Sequence, residues 1–243
     1  MRRVALVPGG ARGIGRAIAQ ALAAREWDVA ICYRTSHDDA QIAVAAIEAS
    51  GGAALALPCD VSTPEACADL CEQVLTWRGG VDALIHCAGP FHRVDLLSET
   101  ADGWRAMFAN NLDSLFFLSR LVAPGMIERR WGRILGFAMA NADRLMAQTQ
   151  ITAHYLAKLA LLGLVRSLAK ALAPSGITAN AISPGFIDSG SVDMAELAQM
   201  SKNIPAGGAG TVDDVVAAAL FLLSEEAGYV NGANLHVSGG WGI

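Results

Sequence analysis

The glycine-rich stretch Gly9-Gly10-Ala11-Arg12-Gly13-Ile14-Gly15 follows a short apolar run, Arg3–Val7, and opens a helical pattern, Ile14–Arg25. Glycines allow a tight turn and let the backbone approach a pyrophosphate. A helix N-terminus adds unpaired N–H groups that favour anions. This predicts a cradle for the phosphates of a dinucleotide. The spacing, G-x3-G-x-G, differs from the G-x-G-x-x-G of the larger dehydrogenases. The second apolar run ends in Cys32-Tyr33-Arg34-Thr35-Ser36. It lacks the acid that bonds ribose hydroxyls in an NAD site. Arg34, with Arg12 on the glycine turn, is instead placed for a 2′-phosphate, which suits the guanidinium fork. The expected cofactor is therefore NADP(H).

Positioning this chemistry requires a regular frame. Strands are expected at Arg3–Val7, Asp28–Tyr33, Ala53–Pro58, Val81–His86, Arg133–Phe137, Ile177–Ile182 and Asn234–Val237. Helices are expected at Ile14–Arg25, Asp38–Ser50, Pro64–Trp77, near Trp104–Glu128, Thr152–Leu172 and Val212–Leu223. Continuous apolar strands joined by helical crossovers imply an α/β fold, with about seven parallel strands covered on both faces. Between Pro184 and Thr211 the rhythm breaks into glycines and methionines. Such a segment in a compact domain reads as a lid, placed at about 187–210. No internal linker is evident, so the expectation is one domain over 1–243.

Apolar residues make up 53% of the 243 residues and charged residues 17%, with a net charge of −5. That excludes a disordered chain and argues against a nucleic-acid binder, which shows a basic face. The longest apolar run, Val215–Leu223, is far short of the ~20 residues a membrane span needs. The N-terminal apolar stretch is too short for a signal peptide. Cys67 and Cys71 lack a second ligand pair with zinc spacing, so no metal is expected and the cysteines read as small core residues. The expected location is the cytoplasm. The thin charged shell suggests burial against other subunits.

Several motifs carry a resemblance to the short-chain dehydrogenase/reductase family, covering nearly the whole chain. Gly9, Gly13, Ile14 and Gly15 match its glycine motif, and Asp60-Val61 its adenine-contacting pair. His86-Cys87-Ala88-Gly89 stands where the family usually has Asn-Asn-Ala-Gly. Asn111 matches the helix asparagine that helps hold a proton-relay water. Asn180-Ala181-Ile182-Ser183-Pro184-Gly185-Phe186-Ile187 matches the segment that closes over the nicotinamide. The ending, Gly232 to Trp241, is similar to that of the 3-oxoacyl reductase branch. The resemblance implies a Rossmann-type doubly wound sheet and NADPH-dependent reduction of a carbonyl in a small molecule or thioester. It also implies a homo-oligomer, dimer or tetramer.

The catalytic positions depart from the family pattern of a tyrosine four residues before a lysine, with a serine 13 residues before the tyrosine. Lys158 is fixed by the matching text that follows it. Four residues before it stands His154; Tyr155 comes one later, and counting back from His154 gives Asn141. About two extra residues separate the fifth strand from the helix. Three readings follow. Tyr155 could do the usual work, since residues three and four apart share a helix face. His154 could be the proton donor, with Asn141 or Asp143 polarising the carbonyl. Or the chain binds the dinucleotide without turnover. A pteridine-type reductase, with Asp143 in the serine's role, is a further alternative.

Overall fold

A computed structural model describes residues 2–190 and 199–242. Its centre is a seven-stranded parallel sheet in the order β3-β2-β1-β4-β5-β6-β9. The strands are β1 (Val4–Pro8), β2 (Asp28–Tyr33), β3 (Ala54–Pro58), β4 (Ala83–His86), β5 (Gly132–Phe137), β6 (Ile177–Pro184) and β9 (Asn234–Val237). The order reverses between β1 and β4, the place where sheets of this kind form a ligand crevice at the strands' carboxyl ends. A two-residue pair, β7 (Ile187–Asp188) with β8 (Gly210–Thr211), joins the start and end of the excursion after β6. Part of the expected lid, residues 191–198, lies outside the described residues.

The strands are apolar on both sides because both faces are covered. Val4 and Leu6 of β1 face one cluster; Ala5 and Val7 face the other. The first cluster is closed by α3 (Pro64–Arg78), α5 (Ser114–Arg129) and α6 (Thr152–Leu172), through Leu70, Leu118 and Leu161 among others. The second is closed by α1 (Gly13–Ala23), α2 (His37–Ala49) and α7 (Val212–Leu223), through Ile18, Ile47 and Leu222. No helix of the described residues is long and apolar enough to cross a membrane. The five cysteines carry free thiols.

One helix differs from its sequence pattern. The segment expected near Trp104–Glu128 starts earlier, as α4 (Ala101–Phe108), because the Thr100 hydroxyl accepts a hydrogen bond from the Gly103 N–H. It then runs through a turn of π-helix, Ala109–Asp113, into α5. The π-turn holds Asn111, and such turns recur at functional sites.

Candidate active site

At the phosphate end, α1 begins directly after the glycine turn. Arg12, at its N-cap, is extended and makes no side-chain capping bond, and the first turn holds no acid. The helix therefore presents its free N–H groups to an incoming anion. A Cβ on Gly15 would sit 2.4 Å from the Gly9 carbonyl oxygen, so only glycine lets the helix seat this tightly on the turn. The cleft above it has a volume of about 920 Å³. Gly9, Arg12, Gly13, Ile14, Gly15, Arg34, Asp60, Val61, Ala88, Gly89 and Pro184 line it, as do His154 and Lys158. Arg12 also lies 3.7 Å from Asp39, an acid on α2. The cleft thus runs from a cationic, phosphate-suited end to a buried cation and an imidazole, which fits a dinucleotide laid across the strand ends.

Two expected cofactor residues, Gly185 and Ile187, do not line this cleft. Gly185 donates its N–H to the Val237 carbonyl, and its Cα packs where a side chain would strike Ser238. Ile187 is buried in the core. Both brace the strand end that carries Pro184. Ser189 and Gly190 line the cleft instead, and local sequence gave no signal for them.

At the other end, Lys158 is buried, and its Nζ donates to the Phe137 carbonyl, 2.6 Å away at the end of β5. Burial pushes its ammonium down to about 8. Gly89, at φ +153°, allows the crowding behind it: a Cβ there would meet Asn111 Oδ1 at 2.3 Å and Lys158 Nζ at 3.4 Å. Asn111 is buried. Its Nδ2 donates to the Pro90 and Met107 carbonyls, while Oδ1 has no hydrogen-bond partner. Beneath them, His86 at the end of β4 is fully buried. Ser114 Oγ donates to the Asn110 carbonyl, so it accepts from His86 Nε2–H at 2.7 Å, and His86 Nδ1 is left bare. Burial first, then the Lys158 charge, lowers His86 to about 3. This histidine pins the π-turn from the sheet side, a role its sequence position did not disclose.

His154 and Tyr155 part company. Successive helical residues are rotated by about 100°, and it is His154 whose ring reaches the cleft beside Lys158. The Phe91 ring stands edge-on to it, with centroids 5.1 Å apart. His154 Nδ1 is sealed from solvent without a hydrogen-bond partner. Burial, then the Lys158 charge, lowers the imidazole to about 4, although the Pro90 carbonyl favours its protonated form. Tyr155 is only 2% exposed and lies outside the cleft. Its hydroxyl donates to the Arg144 carbonyl and accepts from the Met146 N–H at 3.0 Å.

Asn141 is also apart from the cleft. It adopts φ +69°, a left-handed conformation that asparagine tolerates. Its side chain lies against Gly242, where an added Cβ would be 2.5 Å from Oδ1. The chain turns at Asn141 through bonds from Ala142 N–H to Met139 O and from Arg144 N–H to Asn141 O. Asp143 is held by His236, at 2.8 Å, and by Asn234 of β9. Its partial burial opposes ionisation, but the His236 hydrogen bond and charge outweigh this and hold the carboxyl below its ordinary value. The arrangement places an imidazole, His154, and a cation, Lys158, together in the cleft.

Comparison with known proteins agrees with this architecture. Residues 9–242 match a family model described as enoyl-(acyl carrier protein) reductase. The chain belongs to the short-chain dehydrogenase/reductase family. It is similar to a 3-oxoacyl-[acyl-carrier-protein] reductase FabG of Haemophilus influenzae, with 37% identity covering 98% of this chain and 97% of the relative. It is 36% identical to an acetoacetyl-CoA reductase of Shinella zoogloeoides, covering 99% and 98%. Among solved structures it resembles acetoin dehydrogenase YohF of Salmonella typhimurium, with a TM-score of 0.90 and 29% identity over 99% of this chain and 96% of that one. The chain is a short-chain oxidoreductase of the carbonyl-reductase type, and its family uses a nicotinamide dinucleotide.

Proposed function

We propose that this chain is an NADPH-dependent reductase that converts a ketone to an alcohol, with 3-oxoacyl thioesters as the leading substrate class and His154 as the proton-transfer residue. The observation that carries the reading is that His154, one turn before Lys158, lines the same cleft as the glycine turn. The names of the similar reductases support the thioester class.

The dinucleotide supplies hydride at its nicotinamide when bound. Arg34 and Arg12 would hold the 2′-phosphate, the free N–H groups of α1 the pyrophosphate, Asp60 and Val61 the adenine, and Lys158 the nicotinamide ribose. His154 gives a proton to the carbonyl oxygen in reduction and takes one from the alcohol in the reverse direction. A buried ammonium one turn away makes the imidazolium a stronger acid and keeps the free base dominant at neutral pH. His154 is thus ready as a base, and reduction draws on a scarce protonated form. The apolar residues that α5 leaves exposed, Phe116, Leu121 and Ile127, support a homo-oligomer, and the free thiols fit the cytoplasm.

The test is NADPH oxidation with an acetoacetyl thioester and a panel of ketones. Turnover lost in His154→Ala and kept in Tyr155→Phe supports the reading. Tight NADPH binding without turnover of any carbonyl would overturn it in favour of a dinucleotide-binding protein.

A further inference from the structure

We infer that Cys32 and Cys59 form a redox-active dithiol pair that a hydroperoxide converts to a disulfide, and that closing this bond weakens the hold of the cleft on its dinucleotide. The second half rests on the reading of the cleft as a dinucleotide site. Strands β2 and β3 run parallel, with Cys32 beside Leu57 and Tyr33 beside Pro58. One residue further on, the Cys59 N–H donates to the Tyr33 carbonyl at 2.8 Å. Side chains alternate along a strand, so Leu57 and Cys59 share a face. Cys32 and Leu57 belong to one core cluster, and Cys59 packs against it. The two thiols are hydrogen-bonded to each other. A disulfide needs two side chains that face each other, which this pair provides.

Cys32 is buried and Cys59 half-buried, and both line the cleft beside Arg34 and Asp60. A peroxide entering the cleft therefore meets Cys59 first. The hydrogen bond from Cys32 holds the Cys59 thiol below its ordinary value, although burial and the charges of Asp60 and Asp69 oppose this. Burial pushes the thiols of Cys67, Cys71 and Cys87 up to about 12. The thiolate is the nucleophile in such chemistry, which singles out Cys59. Its sulfur attacks one peroxide oxygen and breaks the O–O bond. The products are a sulfenic acid on Cys59 and an alcohol, or water when the oxidant is hydrogen peroxide. The Cys32 sulfur then attacks the Cys59 sulfur, and its proton leaves with the sulfenic hydroxyl as water. Two thiols lose two electrons and the peroxide gains two. The new bond ties the ends of β2 and β3 and draws Cys59 toward Cys32. Asp60 is the next residue after Cys59, so the adenine side of the cleft shifts with it.

The test treats the reduced full chain with graded hydrogen peroxide, caps the remaining thiols with N-ethylmaleimide and maps the peptides by mass. A fluorescence titration of NADPH follows on the reduced and the oxidised protein. The expected result is a Cys32–Cys59 cross-linked peptide, with Cys67, Cys71 and Cys87 recovered capped. The dissociation constant for NADPH should rise by about tenfold, the worth of one lost hydrogen bond. Dithiothreitol should reverse both changes. In Cys32→Ser, Cys59 should stop at the sulfenic acid and take up dimedone; in Cys59→Ser, neither cross-link nor dimedone adduct should form. Absence of a Cys32–Cys59 cross-link in the wild type, or cross-linking of another pair in its place, overturns the proposal. So does a cross-linked chain that binds NADPH as tightly as the reduced one. Mapping on the wild type decides even where a variant does not fold. If the reduced chain binds no NADPH, the proposed function falls, whereas a mapped Cys32–Cys59 bond still supports the dithiol site and its absence overturns it.

Discussion

His154 stands one helical turn before Lys158 on α6, and both side chains reach the same cleft, whereas the adjacent Tyr155 is buried beneath the β5–α6 loop. Replacing each residue separates their roles. His154→Ala should lower kcat by about 10²–10⁴, the usual worth of a positioned acid–base group, and leave the dissociation constant for NADPH unchanged. Tyr155→Phe should keep kcat on a short substrate within an order of magnitude. Steady-state kinetics with fluorescence titration of NADPH checks both.

The imidazole that burial and Lys158 lower to about 4 gives the two directions different pH profiles. With His154 in the proposed role, reduction draws on its protonated form, so kcat/KM should fall as pH rises from about 5 to 8, by at most roughly tenfold per unit. Oxidation of the alcohol needs the free base, so it should be flat over that range and decline only as pH falls toward about 4. His154→Tyr restores a tyrosine four residues before Lys158 and should move the oxidation limb to higher pH. Initial rates in both directions across pH decide this.

Arg34 lines the cleft where β2 ends and has no partner among the described residues. Arg34→Glu should weaken NADPH binding by about 10–100-fold, the loss of a charge-assisted contact, and improve the use of NADH. Comparable turnover with both cofactors in the wild type at low concentration would contradict the 2′-phosphate role.

Gly15→Ala forces a Cβ toward the Gly9 carbonyl, 2.4 Å away. The strain should cost roughly 1–3 kcal/mol, as overpacking does, and weaken dinucleotide binding, because the same turn shapes the cradle. A urea unfolding midpoint and an NADPH titration read the two effects.

Acid should destabilise the fold through its buried histidines. His86 and His154 have an ordinary value of 6.5, and the fold holds them at about 3 and about 4. The unfolded chain therefore binds more protons between those values. Stability is full above 6.5 and is lost as pH falls toward 4, by up to about 1.4 kcal/mol per pH unit for each histidine. His86→Asn should reduce that slope. Urea midpoints at about pH 7 and about pH 5 test it.

Local patterns sufficed for much of this protein. Short apolar runs gave all seven strands of the sheet, because a parallel sheet buried on both faces leaves continuous hydrophobic strands. The glycine turn, Arg34 and Lys158, which line one cleft, are each picked out by their neighbours in sequence. The π-turn around Asn111 was not legible: its residues continue a helical pattern, and the bond from His86 to Ser114 that braces it joins β4 to α5. Residues contributed by distant loops, such as Phe91 against His154, leave no local mark either.

The sequence by itself determined that a histidine and a tyrosine compete for the place before Lys158, since residues three and four apart share a helix face. Only the tertiary structure decided which side chain meets the cleft. The segment after β5 folds back, takes the Tyr155 hydroxyl for its own backbone at Arg144 and Met146, and carries Asn141 away toward Gly242. A buried hydroxyl must satisfy its hydrogen bonds where partners exist. Those partners are set by how a loop packs on a helix, which no spacing along the chain records.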